Sequence, residues 1–179
     1  MSRPLCDRLK ATFADKVTVP EAAAAPEVIQ VTPAALLEVC LFCKSDAALD
    51  LQVLSCLSGV DYKDRFELVY HLISYRRKHE LVLKVSLDRA NPRVQTVESV
   101  WKTANWHERE CFDLLGITFA GHPDLRRLLL PDDWVGHPLR KDYEPPTQYH
   151  GISHSRPDPL RPTAPECSLP QGSEVPREN

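Results

Sequence analysis

The residues best suited to chemistry in this chain lie within five positions, His107-Glu108-Arg109-Glu110-Cys111. The run comes close to His-Glu-x-x-His, where two ligands one helical turn apart hold zinc and the glutamate acts as general base. Cysteine at 111 lies on the correct helical face and can ligate zinc. A small zinc hydrolase built on His107, Glu108 and Cys111 would still need a third ligand from Asp113, His122 or His137. The simpler reading needs no metal. Glu108 stands three residues after Asn105, so the two can form a capping box, while His107 packs. Cys40-Leu41-Phe42-Cys43 has the spacing of half a metal site, but no second pair occurs among the other cysteines, at 6, 56, 111 and 167. Two cysteines among leucines on an amphipathic helix read as buried thiols. With no glycine-rich phosphate loop, nothing marks a nucleotide or flavin site.

These groups depend on one short helix. Asn105 serves as N-cap, Glu108 and Glu110 suit the positive end of the dipole, and Gly116 can close the far end in a left-handed conformation. The expected helix is 106–115. It places His107, Cys111, Leu114 and Leu115 on one face and sets Arg109 one turn from Asp113, where they can pair. After it the tripeptide Gly-His-Pro occurs twice, at 121 and 136, around a leucine cluster and Pro131-Asp132-Asp133. Each proline fixes its own φ and biases the preceding residue towards extended backbone. The expectation is an ordered, non-repetitive strap whose polar groups (His122, Arg126, Arg127, Asp132, His137, Arg140, Lys141, Asp142), with Pro123 and Trp134, face a partner surface.

Upstream, Leu5, Leu9, Phe13 and Val17 recur at helical spacing, so a helix is expected over 5–17. A short strand follows at 27–31. Thr32-Pro33 then opens a second helix, over 34–45, as N-cap and first residue. Period-two alternation predicts three strands: Leu51, Val53, Ser55 and Leu57; Phe66, Leu68, Tyr70 and Leu72; Leu81, Leu83, Val85 and Leu87. Their short connections make antiparallel hairpins, residues 87–96 a loop, and 99–103 a helical turn. The fold class is α+β. Two N-terminal helices pack on a small, mostly antiparallel sheet; a capped helix and the strap complete a domain over 1–143. Residues 144–179 are rich in proline and poor in apolar side chains, which predicts an extended or disordered tail.

Charged residues make up 26% of the 179 and the net charge is -3, so nothing points to nucleic acid. No apolar run approaches membrane-spanning length, and the N-terminus has no signal-peptide core. The expectation is a soluble intracellular chain with reduced thiols.

Taken together, Glu108-Arg109-Glu110, Asp113, two apolar residues and Gly116, then Gly-His-Pro-Asp-Leu-Arg-Arg, Pro-Asp-Asp-Trp and Gly-His-Pro-Leu-Arg-Lys-Asp-Tyr resemble one signature. It is similar to that of the C subunit (30 kDa subunit) of respiratory NADH:quinone oxidoreductase, complex I. Ser58-Gly59-Val60-Asp61-Tyr62 and the run from Phe66 to Leu72 extend the resemblance to about residues 30–143. It implies a cofactor-free subunit, non-catalytic alone, that braces the quinone-reducing module of a proton-translocating complex. FMN and iron–sulfur clusters would sit in partner subunits. The neighbours implied are the large hydrogenase-like quinone-site subunit and the iron–sulfur subunits, on the cytoplasmic side of the cell inner membrane. The equivalent subunit of a related membrane-bound hydrogenase-type complex is the alternative within the same resemblance.

Overall fold

The computed structural model describes residues 4–20 and 26–153. Residues up to 144 form one compact unit and those from 145 a second. In the first, helix α1 (Pro4–Phe13) buries Leu5, Cys6, Leu9 and Phe13. It stops short of the expected 17: residues 14–16 tighten into a 3-10 turn, and Val17 starts strand β1 (Val17–Thr18). Strand β2 (Glu27–Val31) follows. Thr32 and Pro33 then open a 3-10 turn over Pro33–Ala35, though the Thr32 side chain makes no capping bond. Helix α2 (Leu36–Ser45) continues from it, turning Leu36, Val39, Cys40 and Cys43 inwards. Leu41, between the two cysteines, is half exposed.

Strands β3 (Val53–Asp61), β4 (Arg65–Ser74) and β5 (His79–Asp88) form the antiparallel centre of a five-stranded sheet in the order β1-β2-β5-β4-β3. Strand β2 joins β5 in parallel, the single parallel pair in that sheet. Phe66, Leu68, Tyr70 and Leu72 of β4 and Leu81, Leu83, Val85 and Leu87 of β5 face the core, as their alternation predicts. Burial of each such side chain stabilises the fold by about 1.5–3 kcal/mol. The opposite face is mixed, with Val69, Ile73 and Val82 among polar residues and Lys84 Nζ 3.0 Å from Glu67 Oε1. Strand β3 departs from the expected alternation. A bulge between Leu54 and Cys56 shifts its register, so Leu54 and Leu57 turn inwards while Ser55 is exposed. One extra residue flips every side chain before it to the other face.

The stretch expected to be loop contains β6 (Arg93–Gln95), which pairs in parallel with β7 (Thr118–Ala120). Helix α3 (Ala104–Leu115) lies between them in sequence. It is fastened to the sheet by its approach: Trp101 Nε1 donates to Leu51 O at 3.2 Å and Thr103 Oγ1 to Leu54 O at 3.2 Å.

In the second unit, β8 (Gln148–Tyr149) and β9 (Ile152–Ser153) make a small hairpin where an extended or disordered tail was expected. Its central residues, His150 and Gly151, both have positive φ, the geometry of a two-residue type I′ turn. The remainder of the proline-rich stretch, 154–179, lies outside the described residues, as do Cys167 and the alanines of 21–25.

Candidate functional site: a strap locked onto helix α3

Helix α3 begins two residues before the expected 106. It runs on from the preceding turn, with Ala104 N–H donating to Trp101 O and Asn105 N–H to Lys102 O. Asn105 is therefore inside the helix, and no side chain caps the start. The capping box does not form. Glu108, two residues later than a capping box from Thr103 requires, points into the protein, where it is fully buried. Its carboxylate accepts Val97 N–H at 2.8 Å and Thr96 Oγ1–H at 2.5 Å, joining α3 to the end of β6. Burial pushes its pKa up to about 7, with the bonds from Thr96 and Val97 opposing. His122 lies alongside, Nε2 4.0 Å from Glu108 Oε2 and 3.3 Å from Asn105 O. Its Nδ1 accepts Asp124 N–H, which leaves the proton on Nε2.

The far end of α3 agrees with expectation. Gly116 takes φ 73°, and its N–H bonds Phe112 O. A side chain at 116 would also meet Arg140 and His137 within 2.6 Å, so glycine is required by both conformation and space. Arg140 Nε donates to Leu115 O at 2.6 Å, placing a cation on the negative end of the helix. His137 Nδ1 donates to Asp113 O at 2.8 Å, and Leu139 N–H to Leu114 O.

Asp113 is the centre of the arrangement. Its Oδ2 accepts the consecutive N–H groups of Leu128, Leu129 and Leu130 at 3.0, 2.8 and 2.9 Å, and its Oδ1 accepts Arg127 Nη1 at 2.8 Å. Burial opposes the charge on this fully enclosed carboxylate, but the three N–H groups and Arg127 outweigh it and hold its pKa below the ordinary value. The expected Arg109–Asp113 pair is absent. Arg109 instead crosses over to the strap, donating to the carbonyls of Arg126 and Arg127 and stacking its guanidinium on Trp106.

A second carboxylate, Asp61 at the end of β3, grips the other end of the strap. It accepts the N–H groups of Lys141 and Lys63, each at 2.8 Å, and a guanidinium N–H of Arg89. Burial raises its pKa, yet Lys141, Arg89 and Lys63 together bring it below the ordinary value. Arg89 also binds Asp142 at 2.6 Å, and Arg89 and Arg140 both cover the Phe66 ring.

Ordering of the strap was legible in its prolines. The direction of its charges was not. Arg127, Arg140 and Asp142 were expected to face a partner, whereas all three bond this same domain, because the Asp113 carboxylate, the Leu115 carbonyl and the Arg89 guanidinium respectively await them there. Arg126, Pro123 and Asp132 are exposed, as is the Lys141 side chain. Trp134 donates its Nε1–H to Tyr143 Oη at 3.1 Å. The face left outward is partly apolar: Trp106, Leu129, Val135 and Leu139 are each more than half exposed.

His107 and Cys111 line a groove beside β3, whereas Glu108 turns to the opposite interior, so the three do not converge. Among the described residues no group of three or more His, Cys, Asp or Glu side chains is placed to hold a metal ion. Burial raises the Cys111 and Cys43 thiols to about 12, far from the reactive thiolate range.

The family model described as the respiratory-chain NADH dehydrogenase, 30 Kd subunit, matches residues 29–149. The chain belongs to this family. Its match takes in the sheet from β2 onwards, α3 and the whole strap, with both carboxylate anchors. The C subunit of NADH-quinone oxidoreductase from Chloroherpeton thalassium is 48% identical over 116 residues, covering 64% of this chain and 48% of that protein. The protein of the same name from a Roseiflexus species (strain RS-1) is 43% identical over 139 residues, covering 76% and 80%. The chain thus spans about half the length of the first relative and four-fifths of the second. Nqo5, solved as a trypsin-resistant fragment, aligns with a TM-score of 0.55 at 27% identity over 66% of this chain and 97% of that one. A chain of the membrane-bound sulfane sulfur reductase, an archaeal respiratory membrane complex, shares the fold with a TM-score of 0.66 at 22% identity, covering 77% and 82%. Among the described residues no helix of this 30 kDa-family chain is long and apolar enough to cross a membrane.

Proposed function

We propose that the chain is the C subunit of a proton-translocating NADH:quinone oxidoreductase, where it braces the quinone-reducing end of the peripheral arm. It carries no cofactor and does no chemistry alone; FMN and iron–sulfur clusters belong to neighbouring subunits. Its neighbours are the large hydrogenase-like subunit that forms the quinone site and the adjacent iron–sulfur subunits, on the cytoplasmic side of the membrane. It meets the membrane only through the complex.

The observation that carries this reading is the outward face of α3 and the strap. An irregular segment held by two buried carboxylates presents Trp106, Leu129, Val135 and Leu139 to solvent. Rigid backbone bearing large exposed apolar side chains is what a protein–protein interface requires, since little ordering remains to be done on binding. Replacing Leu129 and Val135 together by Asp tests it. The isolated chain should melt unchanged, while the amount of it recovered with the purified complex falls at least five-fold. NADH:quinone reductase turnover normalised to flavin should stay near wild type in whatever complex assembles. Full recovery of the doubly substituted chain would remove this face from the interface. The fold shared with the sulfane sulfur reductase chain supports a second reading, the equivalent subunit of a complex fed by another donor. Reduction of quinone by NADH in the purified complex separates the two.

A further inference from the structure

Strand β3 is an edge of the five-stranded sheet, and its free side is only partly covered. Tyr62 N–H closes the β3–β4 hairpin on Arg65 O, and the register runs unbroken from Asp61–Phe66 to Cys56–His71. Hydrogen-bonded and open positions alternate along an antiparallel edge. Gly59 and Leu57 therefore turn their backbone groups away from β4. The Gly59 N–H is taken by Cys111 Sγ on α3. The Leu57 N–H and C=O and the Gly59 C=O face a groove of about 290 Å³ between the strand and the helix.

The groove is mostly apolar. Leu57, Gly59, Cys111 and Leu114 line it, and the exposed Leu139 of the strap closes one end. Glu110 stands at its rim and is its single carboxylate; among the described residues Glu110 has no hydrogen-bond or ion-pair partner. On either side the edge is covered: the Leu54 carbonyl accepts from Thr103, as that of Leu51 just ahead of the strand does from Trp101, and the Asp61 side chain holds the strap against the far end. The unprotected length is two to three residues. Proteins usually blunt such edges, and an open one beside an apolar slot is the geometry by which an extended peptide adds to a sheet.

We propose that this groove receives an extended segment of a neighbouring subunit, one apolar side chain entering the slot and an adjacent lysine or arginine meeting Glu110. The backbone bonds to Leu57 and Gly59 set the direction of the segment, the slot selects an apolar residue, and the unpaired carboxylate selects the cation. The inference rests on the reading of the chain as an assembly subunit.

Cys56, half-buried on the groove wall, supplies a native probe, since the other cysteines among the described residues are buried. Alkylation by N-ethylmaleimide is followed at the Cys56 peptide by mass spectrometry, in the free full-length chain and in the purified complex. The rate should be at least ten-fold slower in the complex. Glu110→Lys should leave the melting temperature of the free chain unchanged and restore most of the Cys56 reactivity in the complex. A photo-crosslinking p-benzoylphenylalanine in place of the exposed Ser58 should capture a peptide of another subunit with Lys or Arg within two residues of the attachment point. Equal Cys56 rates in chain and complex would show an open groove and overturn the proposal. Protection indifferent to Glu110→Lys, or capture of an acidic segment, would overturn the cationic occupant. If the chain does not co-purify with a quinone reductase at all, the assembly reading itself fails and the groove proposal falls with it.

Discussion

Asp61 and Lys141 stand eighty residues apart, yet the Asp61 carboxylate accepts the Lys141 N–H at 2.8 Å. Nothing about the lysine side chain is involved; the bond is to backbone. The same holds at Asp113, which binds three successive backbone N–H groups. The strap is therefore held through its main chain by two carboxylates and through the side chains of Arg127, His137 and Arg140, which leaves Leu129, Val135 and Leu139 outward for other uses.

Asp113→Ala should be the most damaging single change in this region. It leaves Arg127 and three backbone N–H groups without their shared acceptor at once. Removing one partner of a buried charged pair costs about 3–5 kcal/mol, which for a chain of this size lowers the melting temperature by about 10 °C. Trypsin should then cut at Arg126 or Arg127 well before the core is digested. A melting temperature within 2 °C of wild type, at about 1 kcal/mol or less by the same scaling, would show that the strap contributes little to the fold.

Arg140 and Lys141 are adjacent bases that should behave differently. Arg140→Ala removes the donor to Leu115 O and the cover over Phe66, a loss of about 2 kcal/mol for hydrogen bonds involving a charged group. Lys141→Ala keeps the N–H bonded to Asp61 and should change stability by less than about 0.5 kcal/mol. Urea titration of the two variants compares them directly, and equal midpoints would contradict the assignment.

Glu108 sets a stability window near neutrality. Its pKa rises from an ordinary 4.5 to about 7 in the folded chain. The folded state thus binds more protons than the unfolded state between those values, and stability falls as pH rises through them. At about 1.4 kcal/mol for each pH unit, the loss by pH 8 approaches 3 kcal/mol. Glu108→Gln keeps an acceptor for Val97 N–H and removes the ionisation. The difference in melting temperature between variant and wild type should therefore move in favour of the variant from pH 5 to pH 8. Asp61 and Asp113 act oppositely and at lower pH. Their pKa values are depressed, so the stability they contribute is complete above the ordinary carboxylate range and is lost only as pH falls through the folded values. A difference curve that is flat from pH 5 to 8 would mean Glu108 titrates normally.

The Tyr70 hydroxyl is buried with no hydrogen-bond partner among the described residues. Tyr70→Phe removes a desolvated polar group and keeps the ring, so stability should hold or rise by about 1 kcal/mol. Destabilisation by more than about 1 kcal/mol in a chemical melt would reveal a bond to that hydroxyl.

Strands β4 and β5 and the Gly116 end of α3 were legible because they rest on local rules: alternation, and a glycine in a left-handed cap. The start of α3 was not. Asn105 and Glu108 have the residues and the spacing of a capping box, but the helix starts earlier, and Glu108 finds better partners in Thr96 and Val97. Sequence gives no sign of that rivalry, since β6 and β7 are three residues each and exist only as a pair. The bulge at Ser55 was hidden because β3 alternates acceptably in either register. A buried aspartate cannot be told from a solvated one by its letter. The one available hint at Asp113 was its position, one turn from Arg109 and inside an otherwise apolar stretch.

The spacing between Asp61 and Lys141 also orders events during synthesis. Both anchoring carboxylates leave the ribosome before the amides they bind, Asp61 by eighty residues and Asp113 by fifteen to seventeen. Closing the longer loop is entropically slow and is repaid only when α3 is already in place. The strap is thus the last part of the domain to close and the first to reopen. Amide hydrogens at 128–130 and 141 should exchange together, at a lower opening free energy than those of β4. A newly made chain whose outer face is still unfinished has no rigid surface to offer, so its entry into an assembly waits on its own completion.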